Sequence, residues 1–165
     1  MIALPMALQE VMFKEQMKMP QITIYIPSGT ELSFTVSLEP KKVVIFVGFS
    51  FAGIDVTGSS IPPYDFTTGK GLTWSAIYRQ HPALHKLNIR DHETGTFYLT
   101  EDYLNKQIQY GPRICTKEME ITLKNTLDND VYFSQTAFAY ELWLEDFLKA
   151  LGYTKEQIDK VLEMI

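Results

Sequence analysis

A chain of 165 residues, 45% of them hydrophobic and 21% charged, has the length and composition of one globular domain and not those of a disordered tail. Its net charge of −5, with no basic cluster beyond the pair Lys41–Lys42, argues against a nucleic-acid groove, because phosphate binding needs a concentrated basic face. Cys115 is the only cysteine, so the fold must stand on packing without an intrachain disulfide.

The Met-rich stretch from Met1 to Met19 has no basic leader, and Gln9, Glu10, Lys14 and Glu15 interrupt its apolar character, so it does not read as a signal peptide. Leu8, Met12, Phe13 and Met17 fall at roughly helical spacing between Pro5 and Pro20. Residues 1–20 are therefore a short amphipathic helix or an apolar arm, which either closes one end of the core or docks on a neighbouring subunit. No run approaches about 18 apolar residues, so no membrane span is expected.

Strict alternation follows at Ile22, Ile24 and Ile26 and again at Leu32, Phe34, Val36 and Leu38, with Pro27-Ser28-Gly29-Thr30 between them. This predicts strands near 21–27 and 31–38 joined as a β-hairpin. The run VVIFVGFSF, Val43 to Phe51, carries no charge and is built from β-branched and aromatic residues that suit a pleated surface. It reads as a central strand apolar on both faces, which requires cover on both, from the chain's own helices or from another subunit.

From Ala52 to Thr73 glycine, proline and hydroxyl residues dominate, giving a long loop with a short strand conceivable around Ile54 to Thr57. Tyr64, Phe66 and Trp74 are costly to leave in water; they either line a binding surface or cap one end of the core. Residues 74–80 read as a short helix, with Pro82 opening a further turn. A strand is expected near 96–100, and signals between Tyr103 and Thr116 are weak.

Met119, Ile121 and Leu123 alternate with Glu120, Thr122 and Lys124, an Asp128-Asn129-Asp130 turn follows, and Val131 to Tyr140 returns. Strands near 118–124 and 131–140 thus form a second hairpin. At Glu141 the period changes to 3.6. Leu144, Phe147, Leu148 and Leu151 make one stripe, Gly152 ends it, Thr154 to Gln157 is a capping box, and Ile158, Val161, Leu162 and Ile165 make the next stripe.

The chemistry on offer is sparse. His81 and His85 stand four residues apart, but Pro82 separates them and no His-Glu-x-x-His motif exists, so no metal site is expected; His92 has no assigned role. Gly69-Lys70-Gly71 lacks the rest of a phosphate loop. Cys115 has no supporting nucleophile motif and reads as a buried structural thiol. Asp128-Asn129-Asp130 is better explained as a turn than as a calcium loop. Neither a cofactor nor a catalytic constellation is expected.

Residues 119–140, MEITLKNTLDNDVYFSQTAFAY, in which a strand ending in Lys-Asn leads through an Asp-Asn turn into an aromatic strand, resemble β-sandwich proteins of phage and other virus particles. The resemblance implies an accessory capsid, head or tail protein, transfers no functional residue, and allows incorporation into a particle after cytoplasmic synthesis. The sequence as a whole predicts a mainly β protein: an N-terminal helix or arm (1–20), an antiparallel, jelly-roll-like β-sandwich (21–140) and a C-terminal helical hairpin (141–165). Its expected function is non-enzymatic assembly through protein surfaces in a homo-oligomer or larger assembly, with the helical stripe, Leu144 to Ile165, as the partner interface. The alternative is a ligand- or carbohydrate-binding module using Tyr64, Phe66 and Trp74.

Overall fold

The computed structural model describes residues 4–165, so the first three residues of the expected N-terminal segment lie outside the described residues. In chain order the elements are α1 (Met6–Phe13), β1 (Gln21–Ile26), β2 (Thr30–Ser37), β3 (Lys42–Asp55), β4 (Leu72–Arg79), a 3-10 helix (Pro82–Leu87), β5 (His92–Glu93), β6 (Phe97–Tyr98), β7 (Gln107–Cys115), β8 (Glu118–Asn125), β9 (Val131–Trp143), α2 (Leu144–Ala150) and α3 (Lys155–Glu163). The strands form two antiparallel sheets, one in the order β1-β9-β3-β7, the other β2-β8-β4-β5 with β6 also on β4. Pairing runs from the chain ends inward: β1 with β9, β2 with β8, β3 with β7, and β4 with β5 and β6. That nested pairing, rolled so that β3 meets β9 and β4 meets β8, is the jelly-roll form of a β-sandwich.

Neither expected hairpin is a hairpin. β1 and β2 are consecutive but lie in opposite sheets, and so are β8 and β9. Alternation of apolar residues is the same whether a strand pairs with its neighbour in sequence or turns a corner to the facing sheet. A three-residue link between Ile26 and Thr30, at up to about 3.5 Å per residue, spans the roughly 10 Å between packed sheets. The two corners lie side by side and are tied by Asn125, which is fully buried. Its Nδ2 donates to the Ile26 carbonyl at 3.0 Å and the Asn129 carbonyl at 3.1 Å, and its Oδ1 accepts from the Leu127 N–H at 2.9 Å.

β3 carries both faces of the molecule. Phe46, Phe49 and Phe51 enter the core between the sheets with Trp74, Tyr78, Ile121 and Phe133. Val43 and Ile45 face the other way, into a second core made with Leu8 and Met12 of α1, Leu84, and Phe147 of α2. The cover over the second face comes from the chain's own helices. The register slips between Phe46 and Gly48, so the inward side chains change from even to odd numbers across a bulge at Val47.

Three stretches differ from the sequence reading. Residues 74–79 belong to a strand that ends at Arg79, one residue before Gln80: Leu72, Trp74, Ala76 and Tyr78 are buried, with less buried residues between them. Its aromatic and branched side chains favour a pleated surface over a helix. β3 reaches Asp55, because its far end still pairs with β9. β9 reaches Trp143, so the first C-terminal helix begins at Leu144 and not at Glu141. Gly152, at φ +94°, and the reciprocal Thr154–Gln157 cap stand where the sequence put them.

The Asn125 corner is braced from outside by Asp130. The Tyr25 hydroxyl donates to its carboxylate, as does the Ser28 N–H at 2.8 Å, and in that order these bonds hold the carboxyl below the usual carboxylate range. A carboxylate with a depressed folded pKa contributes its full stability above its unfolded-state pKa, about 3.9, and loses that contribution as pH falls below it. Asp130→Asn should therefore lose less of its melting temperature than the native chain between about pH 6 and about pH 3. Equal losses would show that this brace does not contribute. A stronger effect is expected of Asn125→Ala, which takes a partner from the buried Ile26 carbonyl and from the part-buried Asn129 carbonyl and Leu127 N–H and should lower the urea-derived stability by about 3 kcal/mol.

Candidate functional site

The three aromatics expected to form a binding surface part company. Trp74 is fully buried in β4, and its Nε1 donates to Gln135 Oε1 at 3.0 Å, so it is a core residue and no stacking platform. Tyr64 and Phe66 stay at the surface, where Tyr98 of β6 joins them. Ring centroids are 5.0 Å apart for Tyr64–Phe66, 4.9 Å for Tyr64–Tyr98 and 5.1 Å for Phe66–Tyr98. Tyr98 escaped the sequence reading, although alternation between Phe97, which packs on Trp74, and its neighbour points Tyr98 outward.

The loop holding this cluster is ordered locally. Asp65 donates its N–H to the Lys70 carbonyl, and its Oδ1 accepts from the Thr67 N–H at 2.8 Å; that bond first, and then bonds from Thr68, keep its carboxyl below the ordinary range. Gly71 lies so close to Tyr64 that an added Cβ would stand 2.6 Å from the Tyr64 Cα, which is why glycine occupies the return of the loop. Beside the cluster the outer face of β2, β8 and β4 forms a depression of about 340 Å³, lined by Tyr64, Tyr98, Thr73, Ser75, Thr122 and Lys124. An aromatic wall over a floor of hydroxyls offers stacking and directional hydrogen bonding without a dominant charge.

The C-terminal stripe is committed elsewhere. Leu144, Phe147, Leu148, Ile158 and Val161 are buried against Val43, Ile45 and Leu142, while Leu151, Leu162 and Ile165 pack partly buried around them. Tyr153 adds a hydrogen bond from its hydroxyl to the Leu87 carbonyl at 2.7 Å. Of the eight residues expected to form a partner interface, the chain itself buries Leu144, Phe147, Leu148, Ile158 and Val161, because short helices need tertiary packing to persist, and leaves Leu151, Leu162 and Ile165 half-buried.

Apolar surface is exposed instead at the other end of the chain. Phe13 and Met19 are each 61% exposed, and Met6 and Met17 are exposed beside them. Phe13 packs edge-on against Tyr140 at 5.8 Å. Phe13, Met17 and Met19 border, with Phe138 and Val47, a groove of about 570 Å³ between the N-terminal arm and the outer face of β3, β7 and β9. A second exposed row crosses β1, β9 and β3 where Tyr25, Tyr132 and Ile54 are register partners.

The titratable groups are dispersed. His81 caps the 3-10 helix by accepting from the Ala83 N–H at 3.3 Å, His85 faces Asp91 at 3.5 Å, and His92 packs on the Tyr78 ring. Burial lowers the pKa of both His81 and His92. Among the described residues no group of three or more His, Cys, Asp or Glu side chains converges as metal ligands. Burial pushes the Cys115 thiol up to about 12, so it is protonated and unreactive at neutral pH. Asp130 braces the corner while Asp128 pairs with Lys70 at 2.9 Å, so the Asp-Asn-Asp turn does not gather its acids. No helix among the described residues is long and apolar enough to cross a membrane. No protein-family model matches the chain, and no curated protein matches its sequence.

Truncating the ring that joins α2 to β3 tests the assignment of the stripe. Phe147→Ala should cost about 3 to 5 kcal/mol of stability in urea titrations, the price of a buried phenyl group. A cost below about 1 kcal/mol, ordinary for a surface residue, would mean that the helices do not seal this face.

Proposed function

We propose that the chain is a non-enzymatic assembly protein, an accessory component of a virus particle, that works through protein surfaces. The observation that carries the reading is the outward-facing arm, on which Phe13, Met17 and Met19 remain exposed beside Phe138 and Tyr140, whereas most of the C-terminal helical stripe is buried on the chain's own core. Contiguous apolar surface on a folded monomer marks a contact site, and methionine suits one that must adapt its shape. A second copy is the preferred occupant. The arm mixes Glu10 and Glu15 with Lys14 and Lys18, so two copies meet without a like-charge field. The jelly-roll strand order supports the virus-particle part of the proposal, since capsid domains use it, although lectin domains do as well.

Light scattering at rising concentration should give multiples of the monomer mass, and Phe13→Ser combined with Met19→Ser should return the monomer without lowering the melting temperature. A native chain that stays monomeric throughout would remove the reading.

The Tyr64–Phe66–Tyr98 cluster favours a second reading, a carbohydrate-binding sandwich in which these rings stack on a sugar and Thr73, Ser75 and Thr122 bond its hydroxyls. On a glycan array the native chain should then select ligands that Tyr98→Ala no longer retains. An array without hits would dismiss this use of the depression.

A further inference from the structure

The sandwich is open along one edge. Where β1 of one sheet and β2 of the other run side by side, the sheets leave a slot of about 460 Å³ lined on its apolar walls by Ile22, Val36, Leu38, Val44, Phe46 and Met119. Ala137 and Ala139 of β9 also line it, two small residues where neighbouring β9 positions carry aromatics. Its size lies within the range of small-molecule sites, roughly 300 to 1,000 Å³.

One polar side chain of the lining is out of place in such a cavity. Gln135 is only 3% exposed. Its Oε1 accepts from Trp74 Nε1 at 3.0 Å, and because an indole N–H only donates, the amide cannot be turned around. Its Nε2 is buried and has no hydrogen-bond partner among the described residues. A buried donor without an acceptor is destabilising and uncommon in a folded protein. Water is a poor remedy, since a buried water needs about 2 to 4 polar partners and the surface of the slot is largely apolar.

The mouth narrows the choice of ligand. Lys18 lies there but is 3.2 Å from Glu141, which Lys42 also approaches at 3.7 Å, and Glu39 lines the opening as well. With Lys18 and Lys42 set against Glu39 and Glu141 the charges at the mouth balance, so the rim offers no surplus cation to hold a fatty carboxylate.

We infer that the slot binds a neutral apolar carbonyl compound, whose hydrocarbon part fills the space between the sheets and whose oxygen accepts from Gln135 Nε2. This site is distinct from the groove beside Phe13 and from the Tyr64–Phe66–Tyr98 cluster, although Lys18 of the arm borders its mouth. No covalent step is involved.

The test uses the full chain and prodan, a neutral naphthyl ketone whose emission moves to the blue on leaving water, with, as its parent, 2-dimethylamino-6-propylnaphthalene, in which a methylene replaces the carbonyl. Prodan should bind saturably at one site per chain, about tenfold more tightly than the parent, as one hydrogen bond requires. Val36→Trp, at the partly exposed mouth, should weaken prodan at least about tenfold by blocking entry while the circular dichroism melt is unchanged. Gln135→Met should bring the ratio of the two affinities to about one, since it deletes the donor and keeps the length. Should that variant fail to fold because Trp74 loses its acceptor, the ratio measured on the native chain decides alone. The inference is overturned if prodan does not saturate, if Val36→Trp binds it as well as the native chain does, or if the native ratio is near one. Prodan affinity that falls as protein concentration rises would identify a second copy as the occupant and would equally overturn it.

Discussion

Everything else in the molecule is arranged around the double burial of β3. A strand that is apolar on one face can rest on a single core, but Val43 and Ile45 on one side and Phe46, Phe49 and Phe51 on the other demand two. The facing sheet supplies the first. Helices drawn from both ends of the chain supply the second, so the termini are tied to the sandwich through one strand. The bulge at Val47 lets this strand serve both: the extra residue restores the large rings to the inner face after the parity of the first half would have turned them outward. Gly48 sits beside it because a Cβ there would come within 2.4 Å of the Ile108 carbonyl oxygen on β7.

What was legible in the sequence follows from which physics is local. Alternation identified the strands at Ile22 to Ile26, Leu32 to Val36 and Met119 to Leu123, and the requirement for cover on both faces of Val43 to Phe51 anticipated a layer beyond a bare sandwich. Partnership was not legible. The link at Pro27-Ser28-Gly29 carries the same turn residues whether it folds a hairpin or turns a corner, and the decision rests on Asn125, about a hundred residues away in sequence, reaching the Ile26 carbonyl. Trp74 was misplaced for a related reason. Proximity to a glycine-rich loop suggested exposure, whereas Leu72, Ala76 and Tyr78 share its parity and take it into the core.

The same separation of local from long-range information explains the fate of the candidate sites. An apolar helical stripe states that something will cover it and not what does; here the cover is β3, α1 and the 3-10 helix. The N-terminal arm gave a weaker apolar signal, yet it is the segment that leaves Phe13, Met17 and Met19 in solvent. Its backbone accounts for this. Lys18 pairs with Ala139 and Pro20 accepts from Ala137, so this part of the arm is held along β9 by main-chain bonds that place Met17 and Met19, while Phe13 stands at the last residue of α1.

That edge pairing also shapes the interior. At one end the sheets are drawn together by the corner at Ile26, where Asn125 bonds both crossing segments. At the other end the arm extends the β1 edge to Lys18, while the facing edge runs on from β2 to Leu38, which bonds the Lys117 carbonyl. Two edges fixed by their own sheets and joined only at one corner have no reason to close at the other, and alanines at 137 and 139 supply no bulk to fill the gap. The aromatic packing of Phe49, Phe51 and Trp74 keeps the centre rigid, so the opening cannot collapse by sliding one sheet over the other. A sandwich clamped at a corner and stiffened through its middle thus keeps an apolar slot at its free edge, and the one buried amide there, Gln135, is held in place by the same Trp74 that stiffens the core.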